Sequence, residues 1–154
     1  MYYLAQVNVA RFKASLNDPL MKEFVDFLEP VNKFAEESPG FVWRLVDEQG
    51  RSASYIETPF KDEMMAVNIS VWEDLDSFKG FVYGSVHSYF LRNKKKWFDM
   101  KGISQFVLWW LPKGELPTLQ MAKDKLEQHE REGDSPSVFT MKAFYDVNGK
   151  LLNP

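Results

Sequence analysis

The stretch from Met65 to Phe98, MAVNISVWEDLDSFKGFVYGSVHSYFLRNKKKWF, constrains the fold of this chain more than any other. Its first part alternates. Val67, Ile69 and Val71 point one way and Ala66, Asn68, Ser70 and Trp72 the other, because successive strand side chains face opposite sides. Asp74 follows at once, in position to cap a helix by accepting amide hydrogens of its first turn. Phe78, Phe81 and Val82 then form one helical stripe. Gly84-Ser85 predicts a break or kink, since glycine costs about 1 kcal/mol inside a helix. Beyond it His87, Leu91 and Phe98 share a face, which sets His87 beside apolar neighbours rather than the lysines.

The rest of the chain supplies matching elements. Tyr2 to Phe12 alternates as a strand, with Ala5, Val7 and Val9 opposite Leu4, Gln6, Asn8 and Ala10. Asn17-Asp18-Pro19 starts a helix, with a capping side chain and a proline pre-set for the first turn. Leu20, Phe24, Leu28, Val31 and Phe34 or Ala35 give that helix one buried face, bent at Pro30, and Ser38-Pro39-Gly40 ends it. A second strand, Phe41 to Asp47, places Phe41, Trp43 and Leu45 on one face and Val42, Arg44 and Val46 on the other. Ser52 to Met64 carries little pattern. Gln105 to Leu111 is a strand apolar on both faces, hence buried on both. After a linker, Thr118 to Glu132 reads as a surface helix with a narrow stripe of Leu119, Ala122 and Leu126. Val138 to Tyr145 adds a short strand.

Strand, helix, strand, strand, helix, strand is the ferredoxin-like βαββαβ order of an α+β fold. A chain of 154 residues makes one domain: residues 1–112 form its core, and residues 113–154 an appended helix and short strand. Helices on one sheet face leave the other bare, to be covered by the appendage or by a partner sheet; a homodimer is the economical answer.

Composition excludes several functions. A net charge of −3 gives no general attraction to nucleic acid. Without cysteine there are no disulfides and no thiolate chemistry, which fits a cytoplasmic location. The N-terminus lacks the basic start and apolar run of a signal peptide. No segment approaches the roughly 20 apolar residues that span a bilayer. Aromatic residues reach 16%, implying a bulky core, a wide apolar pocket, or both.

Val71-Trp72-Glu73, followed by Leu75, Phe78 and Ser85-Val86-His87, resembles the dimeric α+β barrel superfamily, which includes antibiotic-biosynthesis and haem-degrading monooxygenases. Within it the chain is similar to an uncharacterised bacterial family. The matching pieces are Ala5 to Arg11, Pro30-Val31-Asn32, Ser38 to Leu45, Tyr83 to His87, Lys96-Trp97-Phe98 and Trp109 to Pro112. Haem-degrading members use a strand asparagine, a helix tryptophan and an axial histidine. Here Asn8 matches after a one-residue shift, Phe81 stands where the tryptophan would be, and His87 falls about one turn early. The Ser-x-His element fits the cofactor-independent members better.

Three constellations are candidates for chemistry. His87 reads as a general base, as a haem ligand, or as a histidine hydrogen-bonded to backbone or to Ser85 in a helix–sheet seam. Gln6, Asn8, Asn68 and Ser70, with Trp72 beside them, make a polar strand face whose amides need partners from a ligand, water or a second protomer. Arg44, mid-strand among large apolar residues, needs a carboxylate or an anionic ligand, whereas the run from Arg92 to Lys96 complements a helix dipole as a solvated face. Two histidines with no cysteine give no metal cluster. No phosphate-binding glycine motif or nucleophile elbow occurs.

The resemblance implies a small, flat aromatic substrate in an apolar pocket and cofactor-independent oxygenation. His87 would be the base and Asn8 and Asn68 the oxyanion donors. Trp72, Trp43, Arg44, Phe81, Ser85 and Trp109 would line the pocket. The alternatives are a haem protein ligated by His87 and a non-enzymatic dimeric ligand-binding module.

Overall fold

The computed structural model describes residues 1–14, 17–46, 65–84, 92, 96, 97 and 105–153. Strand β1 (Tyr2–Arg11) leads through a capped 3-10 turn at Pro19–Met21 into helix α1 (Lys22–Glu37). Strands β2 (Phe41–Arg44) and β3 (Met65–Trp72) precede helix α2 (Leu75–Val82) and strand β4 (Gln105–Pro112). Helix α3 (Leu119–Glu132) follows. The strands form one antiparallel sheet in the order β2-β3-β1-β4, the ferredoxin-like arrangement.

The caps are those the local chemistry demands. Asp18 accepts from the Leu20 amide, Asp74 from Ser77 at 2.8 Å, and Thr118 from Met121 at 3.0 Å. The 3-10 turn shifts the helical phase by one residue, so Met21 is buried and Leu20, expected inside, is 53% exposed. Helix α1 runs through Pro30 and buries Phe24 and Ala35.

Register sorts the sheet into two faces. On one lie Ala5, Val7, Val9, Val67, Ile69, Val71, Val107, Trp109 and Leu111, each at most 3% exposed. Helix α3 lies over this face with Ala122 and Leu126, joined by Val138. The appendage is thus one of the two covers the sequence leaves open for this face. The other face carries α1 and α2, with Leu4, Trp72 and Leu108 packed against Ala35, Phe78, Phe139 and Phe144. A further cluster, Phe12, Met21, Phe24 and Trp97, closes the far end. The segment after α3 lies along β4, where Phe139 and Leu108 exchange backbone hydrogen bonds of 2.7 and 2.9 Å.

Strand β2 departs from the expected alternation. A bulge falls between Phe41 and Trp43, so Phe41 pairs with Trp72 while Trp43 pairs with Val71. An inserted residue breaks the two-residue period. Phe41 therefore meets Trp72 edge-on at 5.5 Å on the helix side, and Trp43 packs with the valines on the other. Among the described residues, no helix is long and apolar enough to cross a membrane.

Candidate functional site

Pairing places the polar residues in two adjacent rows on the helix-covered face. Arg44 pairs with Ser70, and Ser70 with Gln6, which in turn lies opposite Leu108. In the next row Asn68 pairs with Asn8, and Asn8 with Phe106. Aromatic rows bound this polar island. Leu4 lies between Trp72 and Trp110 on one side, and the Phe12–Phe24–Trp97 cluster with Ala10 and Ala66 closes the other.

The island is held by a hydrogen-bond network. Gln6, 4% exposed, spends both amide hydrogens: Nε2 donates to Asn68 Oδ1 at 2.9 Å and to Ser70 Oγ at 2.7 Å. Ser70, 5% exposed, accepts a second bond from Trp72 Nε1 at 2.9 Å. Because Asn68 gives its oxygen to Gln6, its Nδ2 hydrogens are the free end of the chain of bonds. Among the described residues no hydrogen bond reaches that nitrogen or the side chain of Asn8. Both asparagines are half-buried. What the island offers is therefore amide hydrogens in a largely apolar surround, the chemistry that receives a carbonyl or oxyanion oxygen.

The remaining expected site residues divide. Trp72 belongs to this face but is wholly buried, its ring stacked on Phe81 at 5.0 Å. Phe81 in turn meets Phe34 at 5.6 Å. Arg44 finds the carboxylate it requires in Glu36 of α1, with Nε 2.8 Å from Oε1. Trp43 and Trp109 do not join the site. Both pack on the opposite face, because Trp109 pairs with Ala5 whereas Leu4 is the residue shared by Trp72 and Trp110. Trp72 and Trp109 thus cannot sandwich one ring. Trp110 takes that row instead, its Nε1 donating to the Tyr145 carbonyl at 2.8 Å. His87 and Ser85 lie outside the described residues. Gln6 and Ser70, seen in the sequence only as polar strand positions, are the pair that holds Asn68 and Trp72 in place. Their signal was the polar side chain at alternate positions of two otherwise apolar strands.

Among the described residues no group of three or more metal-binding side chains comes together. A cavity of about 460 Å³ lies apart from the polar island, between the end of α1 and the first turns of α2, where Phe34 and Phe81 line it.

Sheet order, strand pairing and the two helices on one face define a ferredoxin-like α+β protein. The chain belongs to the family described as a domain of unknown function, DUF3291, whose profile matches residues 3–152. No protein of curated function matches the sequence. Among solved structures it is similar to SnoaB, a cofactor-independent oxygenase from Streptomyces nogalater. The TM-score is 0.52 and the identity 18%, over 77% of this chain and 100% of that one. NE2512, a protein of unknown function from Nitrosomonas europaea, gives a TM-score of 0.52 at 14% identity, over 77% of this chain and 97% of that one. A conserved protein from Methanosarcina mazei Go1 gives 0.53 at 10%, over 71% and 92%. At such identities the likeness is one of fold.

Proposed function

We propose that this protein binds a small, flat hydroxy-aromatic or ketone against the Asn8–Asn68 row and oxygenates it without a cofactor. The observation that carries the reading is the network itself. Gln6 holds Asn68 through its oxygen, which leaves the amide hydrogens of two half-buried asparagines with no protein acceptor among the described residues. In such chemistry the substrate supplies the electrons. A base removes a proton from an acidic C–H, and the charge delocalises onto a neighbouring oxygen, where Asn68 and Asn8 donate hydrogen bonds to it. The resulting carbanion combines with dioxygen; one oxygen atom stays on carbon as a carbonyl and the other leaves as water. His87 is the residue we take as the base, on sequence grounds. Phe81 and Arg44 stay in the proposal as wall and rim, and Trp72 as the buried ring behind Phe81. The fold shared with SnoaB supports the reaction class, and the resemblance to dimeric α+β barrels supports a homodimer. With the α3-covered patch buried within the chain, that dimer has to use another surface. Light scattering distinguishes 18.0 kDa from twice that mass.

The test is oxygen uptake with a panel of flat hydroxy-aromatic ketones bearing an acidic methylene, alongside binding measured by calorimetry. Asn68→Ala and Asn8→Ala should each slow turnover by about tenfold or more, as loss of an oxyanion donor does. Binding and uptake unchanged in both variants would overturn the site. Haem ligation by His87 is the alternative from the resemblance, and nothing among the described residues favours it. Hemin titration with wild type and His87→Ala decides it by the Soret band.

A further inference from the structure

Arg44 reaches the polar face because β2 is bulged. In a regular strand it would lie opposite to Phe41, which meets Trp72 on the helix side, and would fall in the apolar layer under α3. The extra residue between Phe41 and Trp43 sends Trp43 into that layer instead. It returns Arg44 to the helix-covered face, directly across the ladder from Ser70. Bulges re-aim side chains in this way beside active sites.

A cation placed there needs acceptors. The Arg44 side chain is 17% exposed, and Nε alone of its nitrogens has an acceptor among the described residues, the Glu36 carboxylate. Nη1 and Nη2, the pair that grips a carboxylate with two parallel bonds, are left over. Ser70 has the same excess of donors. It is 5% exposed and accepts from Gln6 Nε2 and Trp72 Nε1, which fills both lone pairs of its oxygen. Its own hydroxyl hydrogen has no acceptor among the described residues. Directly paired residues on one sheet face have Cβ atoms about 4.5–5.5 Å apart, so these N–H and O–H groups are gathered in one place.

We infer that the Arg44–Ser70 pair is an anion subsite, and that the molecule bound along the asparagine row is an aromatic carboxylate. The inference rests on the reading of that row as a ligand site and names the class of ligand it takes. Arg44 receives the carboxylate, and Asn68 receives an oxygen on the ring. Asn68 lies diagonally across from Arg44, about 7–8 Å away, which a fused two-ring acid with an oxygen on its far ring spans. Arg44 acts here as a specificity residue and takes no part in the oxygenation step.

A naphthoate with a hydroxyl on its far ring, the matching naphthamide and plain naphthol share one ring system and differ in what they offer Arg44. In calorimetric titration of the full chain, the carboxylate should bind about tenfold or more tighter than the naphthamide, because charge-assisted bidentate bonds are the stronger kind. Arg44→Gln should bring that ratio to about one. Arg44→Lys keeps the charge but loses the planar fork, and should retain only part of the ratio. Asn68→Ala should weaken all three ligands alike and leave the ratio in place, so the row and the subsite are read separately. A wild-type ratio near one, a ratio unchanged in Arg44→Gln, or no saturable heat with the carboxylate would each overturn the subsite. Carboxylate-selective binding with no oxygen uptake would uphold the subsite and count against oxygenation alone.

Discussion

Ser70→Ala is the sharpest test of the polar network, because one oxygen serves two buried donors. Ser70 Oγ accepts from Gln6 Nε2 and from Trp72 Nε1, and Trp72 is wholly buried. Removing the hydroxyl leaves both N–H groups without an acceptor, at about 1–3 kcal/mol each. Gln6 keeps its bond to Asn68, which lowers its share. The alanine also sheds the cost of burying a hydroxyl. The net loss expected is about 2–4 kcal/mol, or roughly 5–15 °C in melting temperature for a chain of this size. Urea unfolding of Ser70→Ala, Trp72→Phe and the double variant completes a cycle. Once phenylalanine has removed the indole donor, Ser70→Ala should cost about 1 kcal/mol less than it does alone. A loss below about 0.5 kcal/mol in the single variant would refute the reasoning, because it would mean that water already satisfies these groups.

The buried tryptophans Trp72 and Trp109 should respond differently to phenylalanine. Trp109 Nε1 is buried with no acceptor among the described residues, so Trp109→Phe removes an unpaired donor along with ring volume and should be about 1 kcal/mol or more milder than Trp72→Phe, which breaks a bond; the reverse order in denaturant melts would contradict the assignment. Gly40→Ala should destabilise by about 2–4 kcal/mol, because φ is 80° and the new methyl collides with Ser77; a neutral melt would refute it. Burial holds the Lys125 ammonium below the usual lysine value while Nζ donates to the Ser137 carbonyl at 3.1 Å. Over the window between that lowered value and 10.5 the unfolded chain binds more protons, so wild type should gain stability relative to Lys125→Met as pH rises toward 10.5; a wild type that loses stability relative to the variant over that rise would be the wrong sign.

Strand and helix positions were legible because alternation and helical spacing are strong in this chain. Face assignments were less so. Reading β2 as a regular alternation put Phe41 with Trp43, and the bulge separates them, since a single inserted residue leaves no mark on an apolar run. In β4 the sequence pairs Trp110 with Leu108 and opposes both to Trp109, yet cannot say which set shares a face with Trp72. Only the common partner Leu4 does that. Leu20 fits the helical stripe on paper, but the 3-10 turn ahead of α1 rotates Met21 into the core instead. The polar rows were visible as residues, while the role of Gln6 and Ser70 in holding them depends on cross-strand register between segments more than sixty positions apart.

Whether those rows are a site or only a structural network turns on how the bonds close. A network kept for stability satisfies its members, since a partly satisfied one is worse than an apolar core. Asn8 and Asn68 are direct cross-strand neighbours on one face, near enough for side chains to meet. An amide–amide bond between them would complete the set with no change of sequence. Among the described residues that bond is not made. Gln6 takes the Asn68 oxygen, and the Asn68 nitrogen, in the row that Asn8 and Phe106 share, has no acceptor among the described residues. The half-buried members are thus the two asparagines, while the buried members, Gln6 and Ser70, are bonded. A bonded interior with donors left over at its edge is the arrangement the proposed site for a small oxygen-bearing molecule calls for, and loss of turnover without loss of stability in Asn8→Ala is what separates it from a structural network.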